Sequence, residues 1–242
     1  LYTRGGHALP GKYCSCPDGT ALQAKHRAEA TRRIEQAALA KMHRLWDAGH
    51  IPARFKDMRL ETSPLFLTDP DLIKRLSGPP SPFRTGEEDP PEEVQQAYYA
   101  ASDAWKGSWF FYGDFGVGKT GLAIGLARER IRYGYYGKDG IEINQLLFTT
   151  TPGMLSELRA TYNSGKGDET ETDIIRRYSG VSLLILDDLG AEQVKNSGWV
   201  EDRLYQIIGE RHDEELPTIF TSNLSIERLA ARIGERIVWR IL

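Results

Sequence analysis

Two cysteines in 242 residues are too few to staple a small extracellular scaffold. No apolar run approaches the ~20 residues that a bilayer-crossing helix needs, so a membrane protein is not expected. No basic, apolar, small-residue succession opens the chain, and a reducing cytoplasm is the expected compartment. Positive charge is not in excess either. With 31 Lys and Arg against 34 Asp and Glu the net charge is -3, which argues against a surface coated in basic residues for nucleic acid. What remains, 40% hydrophobic and 27% charged, is the composition of an ordinary globular chain with room for one α/β domain and an appended segment. The chain starts at Leu1 without a methionine and stops at Leu242 inside an expected helix, so both ends are open to continuation.

Charge is unevenly spread. Between Lys25 and Arg59 lie Arg27, Arg32, Arg33, Lys41, Arg44, Arg54 and Lys56, against only Glu29, Glu35, Asp47 and Asp57. The stretch from Ala21 to Ala48 has no Gly or Pro and carries Ile34, Ala38, Met42 and Leu45 at three-to-four spacing. That pattern predicts an amphipathic helix, with Gly49 as its C-cap. Prolines at 52, 64, 70, 79, 80, 82, 90 and 91 exclude long regular elements from Ile51 to Pro91. The expected organisation is a helical segment over 1–50, a proline-rich strap over 51–91 and an α/β domain over 92–242.

That domain should begin with a helix from Glu92 to Trp105 and then alternate strands with helices, the signature of a parallel sheet. Strands are predicted at Trp109 to Tyr112, Leu146 to Thr150, Val181 to Leu186 and Thr218 to Thr221. Helices are predicted at Lys119 to about Arg132, Met154 to Tyr162, Val200 to Asp213, Ile226 to Ile233 and Glu235 to Leu242. Gly165 to Thr172 reads as a polar, mobile connection. Val181 to Leu186 is apolar except for Ser182, as a central strand buried on both faces should be.

Between the first strand and its helix, Gly113-Asp114-Phe115-Gly116-Val117-Gly118-Lys119-Thr120 fits the phosphate-loop pattern G-x-x-x-x-G-K-T in full, with Gly121 next along the helix. Its glycines admit backbone conformations closed to other residues, so that successive amides converge on phosphates at a helix N-terminus. Lys119 would reach the β and γ phosphates of ATP, and Thr120 would ligate Mg²⁺. Asp187 and Asp188 follow an apolar strand, at the sheet edge where open α/β folds bind ligands. Asp187 suits the Mg²⁺ shell and Asp188 the attacking water, the plainer alternative being that both cap a turn before Gly190. Asn223, after Thr218-Ile-Phe-Thr221, is a candidate for holding that water or sensing the γ phosphate; the plainer alternative is a helix N-cap, a role that suits Ser225 better. Arg236 and Arg240 share a helical face, and a guanidinium there could neutralise charge on a phosphoryl group, in this chain or a neighbour.

Four motifs in this order, Tyr112 to Thr120, Leu183 to Gly190, Pro217 to Leu224 and Gly234 to Arg240, resemble the DnaC/DnaI helicase loaders and the related IstB transposition helpers. The resemblance covers about Ile51 to the end. It implies an AAA+ P-loop NTPase fold, a central parallel sheet flanked by helices and preceded by a helical N-terminal segment, with no recognisable C-terminal lid. It also implies Walker A roles for Gly113 to Thr120, Walker B roles for Asp187 and Asp188, sensor 1 at Asn223, and a finger at Arg240 with Arg236 as a second basic residue. The implied activity is slow ATP hydrolysis by a self-oligomer with ATP between subunits. The implied partners are a ring-shaped replicative helicase of DnaB type and single-stranded DNA. Asp-Asp where IstB proteins more often carry Asp-Glu favours the loader branch. The rivals are an IstB-like helper that recruits a transposase and a scaffold in which ATP only locks subunits together.

In loaders the segment before the ATPase domain binds the helicase, and the helix ending at Ala48 is the candidate. Its apolar residues Ile34, Met42, Leu45 and Trp46 either dock on a partner or pack on this chain's own domain. Its basic face could instead touch DNA phosphates. Cys14 and Cys16, flanked by His7 and His26, raise a zinc site, although only one residue separates the cysteines and four ligands cannot be counted.

Overall fold

The computed structural model describes residues 16–60, 107–136, 143–163, 168–192 and 197–242. Its centre is a four-stranded parallel sheet of β1 (Trp109–Tyr112), β2 (Leu146–Thr150), β3 (Leu183–Leu189) and β4 (Thr218–Ser222), in the order β1-β4-β3-β2. β3 and β4 are the inner strands, and both are buried nearly throughout because helices cover the two faces. Preceding the sheet is α1 (Pro17–Ala48); the helices after β1 are α2 (Lys119–Tyr136), α3 (Thr151–Ala160), α4 (Glu171–Gly180), α5 (Ser197–Asp213), α6 (Ile226–Ile233) and α7 (Glu235–Ile241). On one face α2 packs with the end of α1; on the other, α3 to α7 form the larger core around Leu184, Leu186 and Phe220. This is the expected architecture, a parallel sheet between layers of helices.

Two local expectations need correcting. Glu171 and Thr172, read as part of a mobile connection, begin α4: Thr170 and Asp173 cap its first turn reciprocally, and Ile174, Ile175 and Tyr178 are buried on one face. β3 runs on to Leu189 instead of ending at Leu186, through a bulge between those residues that places Asp188 at φ 55°. The expected helix from Glu92 to Trp105 lies outside the described residues.

Met42, Leu45 and Trp46 pack on the chain's own domain, together with Ile51 and Leu60. The side chain of Ile34 lies outside the described ones. The segment after α1 crosses α2 where glycines admit it: a Cβ on Gly125 would stand 2.9 Å from the Leu60 nitrogen, and one on Gly121 3.1 Å from Met58 Cε. Trp46 Nε1 donates to the Lys56 carbonyl at 2.9 Å, and Arg128 donates to the carbonyls of Lys56 and Met58. The Gly49 carbonyl accepts from Phe148 N at 2.7 Å, which covers part of the open edge of β2.

At the other end of α1 the zinc expectation is corrected at Cys16, which is disulfide-bonded. A sulfur in that state is not the thiolate that zinc requires. Cys14 and His7 lie outside the described residues, and among the described residues no group of three His, Cys, Asp or Glu is placed to hold a metal. Among them, too, no helix is long and apolar enough to cross a membrane.

Candidate nucleotide site

The strand order decides which loops meet. Because β4 lies between β1 and β3, the residue leaving β4 stands between the glycine loop after β1 and the acids of β3. Asn223 is that residue. Its Oδ1 accepts from Lys119 Nζ at 2.8 Å, and its Nδ2 donates to Asp188 Oδ1 at 3.3 Å. Lys119 also donates to the carbonyls of Gly113, 2.9 Å, and Asp114, 2.7 Å, so three acceptors hold an ammonium that is otherwise buried.

The loop itself has the backbone that the motif demands. Gly113, Gly116 and Gly118 have φ of 148°, 79° and 94°, where a side chain would be strained. Leu122 N already bonds Gly118 O, so α2 starts directly from the loop and points its N-terminus there. Phe115 at the tip is 84% exposed, and Tyr112 and Val117 are exposed beside it. Gly121, by contrast, is explained by its approach to Met58.

Asp187 is the buried acid. Its carboxylate accepts from Thr120 Oγ1 at 2.9 Å and from Thr221 Oγ1 at 2.6 Å. Burial pushes its carboxyl above the usual range, and the neighbouring Asp188 adds to this, while the two threonine hydroxyls and Lys119 oppose it. The pair of oxygens from Thr120 and Asp187 suits a magnesium ion: two adjacent ligands of an octahedron with metal bonds of 2.0–2.1 Å lie about 2.9 Å apart. Asp188, only half-buried, is turned out of the strand by its left-handed backbone, toward Asn223.

Three supporting residues were not among the sequence candidates. Thr221 bonds both the Asp187 carboxylate and the Asp188 amide, at 2.6 and 3.0 Å. Ser222 Oγ donates to the Leu189 carbonyl at 2.6 Å and Thr151 Oγ1 to the Asp187 carbonyl at 3.3 Å, fastening the bulge from the end of β4 and the start of α3. The available signal was the pair of hydroxyls that follows Ile219 and Phe220 in a buried strand, Thr221 and Ser222, which need buried partners.

Arg236 and Arg240 are not part of this constellation. Arg240 shares a cleft with Gly107, Ser108, Arg211 and Pro217, residues that precede or brace the starts of β1 and β4, whereas the glycine loop leaves the ends of the strands. Arg236 is exposed on α7. Ser225 caps α6 by accepting from Arg228 N, which leaves Asn223 to its contacts with Lys119 and Asp188.

The family model described as IstB-like ATP binding protein matches residues 107–240, from the start of β1 to Arg240. The chain belongs to that family. Over 147 residues it is 28% identical to the replicative helicase loader DnaI of Bacillus subtilis, covering 54% of this chain and 42% of that protein. Over 135 residues it is 27% identical to the replicative helicase loader DnaC of Escherichia coli, covering 55% of this chain and 49% of that one. The chain thus spans about half the length of the curated relatives it matches. A crystal structure of the DnaC helicase loader superposes with a TM-score of 0.50 at 22% identity, over 78% of this chain and 94% of that one, and shows the shared AAA+ fold. In this IstB-like chain, ATP binding and the P-loop AAA+ fold are therefore family properties.

Proposed function

We propose that the chain is the ATP-driven part of a DnaC-like helicase loader, which delivers a replicative helicase of DnaB type onto single-stranded DNA. The observation that carries the ATPase reading is the convergence of Lys119, Asn223, Asp188 and the Thr120–Asp187 pair at one sheet edge. Lys119 binds the β and γ phosphates, exchanging its loop carbonyls for them; Asn223, released from the lysine, and Asp188 orient the attacking water. Thr120 and Asp187 would hold magnesium, which would neutralise charge on the phosphates. Asp188 in the place of the longer Glu makes hydrolysis slow.

Because Arg240 lies apart from its own glycine loop, it serves the nucleotide of a neighbouring copy. Exposed apolar side chains at both ends of such a contact support self-assembly: Phe115, Tyr112 and Val117 at the loop, Trp239 and Leu242 on α7. Support for single-stranded DNA comes from Tyr162, which is 60% exposed and stands edge-on to Trp199, with Arg159 over the Trp199 ring at 4.9 Å. Aromatic faces beside a guanidinium suit stacked bases and phosphates. The part of α1 before Lys41 is the helicase-binding element, since the last turns are taken up by the domain itself.

The loader reading is tested with purified hexameric helicase. Wild-type chain with ATP is expected to retain the helicase and transfer it to single-stranded DNA, and Lys119→Ala to lose ATP binding in equilibrium dialysis and transfer together. Arg240→Ala should keep ATP binding and lose turnover. Retention of a transposase with no affinity for helicase would decide for the IstB-type helper, and full function of Asp188→Asn for a nucleotide-locked scaffold.

A further inference from the structure

The guanidinium of Arg240 is set in place by α5. Its Cζ lies 4.3 Å from the centroid of the Tyr205 ring, and Nη2 donates to the Tyr205 hydroxyl at 2.8 Å. Nη1 donates to the Arg236 carbonyl at 3.1 Å. One turn along α5, Gly209 leaves room for the side chain: a Cβ there would stand 3.5 Å from Arg240 Nε and 3.8 Å from Cδ, so alanine fits and anything longer meets the arginine. At the next turn His212 Nδ1 is 3.2 Å from the Arg240 carbonyl. Residues 205, 209 and 212 lie on one helical face, so ring, gap and imidazole form a rail along which the arginine lies.

The rail leaves the guanidinium partly unspent. Of its five N–H groups, one on each terminal nitrogen is used, and Nε is buried against Gly209 with no acceptor. One hydrogen on each terminal nitrogen remains, the pair that a two-point phosphate contact employs. We propose that Tyr205 is the positioning residue for Arg240, holding its guanidinium in place so that these two N–H groups meet the phosphates of a nucleotide bound to a second copy of the chain. This rests on the reading of Arg240 as a finger acting between copies.

The test uses steady-state ATPase measurements on single and mixed variants. Tyr205→Ala should lower kcat ~10-fold or more with KM for ATP unchanged, because a small misplacement of a transition-state contact costs rate rather than binding. Tyr205→Phe, which keeps the stacked face, should recover most of the rate. Gly209→Met, which crowds the guanidinium and spares the ring, should reproduce the loss. Chains carrying Lys119→Ala bind no nucleotide but retain the intact rail, so mixing them in should restore turnover to the Tyr205→Ala chains and equally to Arg240→Ala chains. Wild-type kcat in Tyr205→Ala or in Gly209→Met overturns the proposal. So does rescue of Arg240→Ala without rescue of Tyr205→Ala, which would make the tyrosine merely structural. Failure to rescue either variant removes the finger reading itself.

Discussion

The two edges of the sheet each bury a charge, and they treat it in opposite ways. At the starts of the strands Arg211 is 2% exposed, and it donates to Thr218 Oγ1 and to the carbonyls of Tyr178, Ser179, Val181 and Pro217. Burial pushes its guanidinium down to about 9, still above neutral pH, so it stays charged and ties the end of α4 to the entries of β3 and β4. At the ends of the strands Asp187 is buried beside a second acid, with its carboxyl pushed up and only two threonine hydroxyls set against that push at hydrogen-bond distance. Next to it, Asp188 sits in a backbone conformation that disfavours side chains. One edge is braced for stability. The other keeps a raised carboxyl and local strain, as a site for a cation and a phosphate should.

That contrast predicts substitutions of opposite sign. The largest effect is expected from Arg211→Met, which orphans five buried acceptors and should cost about 3–5 kcal/mol in urea unfolding. A loss below ~1 kcal/mol would mean that the edge is not braced by this residue. Gly125→Ala comes next: its Cβ would meet the Leu60 backbone at 2.9 Å, and a loss of about 1–3 kcal/mol is expected from overpacking. Unchanged stability would show that the strap over α2 can lift without consequence. On the site edge the sign reverses. Asp187→Asn should raise nucleotide-free stability while abolishing magnesium-dependent ATP turnover.

The same residue sets a pH dependence. A carboxyl raised above its unfolded value of about 4 contributes stability that is present below that pH and lost as pH rises through the folded pKa. Unfolding free energies of wild type measured upward from pH 4 should therefore fall relative to Asp187→Asn, and parallel curves would refute the burial argument. Asp188→Gly is the smallest effect. Relief of its left-handed strain should add about 0.5 kcal/mol, with ATPase activity lost, and a destabilised variant would show that Asp188 is held there by favourable contacts instead.

Much of the sheet was legible because its signals are local. β1, β2 and α6 match their expected spans, the two strands as short aromatic or apolar runs and the helix through its amphipathic period and the Ser225 cap. α4 was missed because its ten residues sit between polar stretches, although Thr170 and Asp173 already had the spacing of a capping box. The partners of the helix ending at Ala48 were not legible. An apolar stripe reports that something covers it, not what, and only contact showed Met42, Leu45 and Trp46 against the chain's own core. The same holds for Tyr205, a helical tyrosine with no motif, which acquires a role only where α7 folds back along α5.

From the order of residues alone came the glycine loop, the acids after an apolar strand and the alternation that makes a parallel sheet, because each depends on neighbours a few positions apart. Whether Asn223 faces a lysine or caps a helix was decided by the placement of β4 between β1 and β3, and the distance of Arg240 from its own glycine loop by the fold of α7 at the opposite sheet edge. Those relations join residues a hundred positions apart, and no local periodicity carries them.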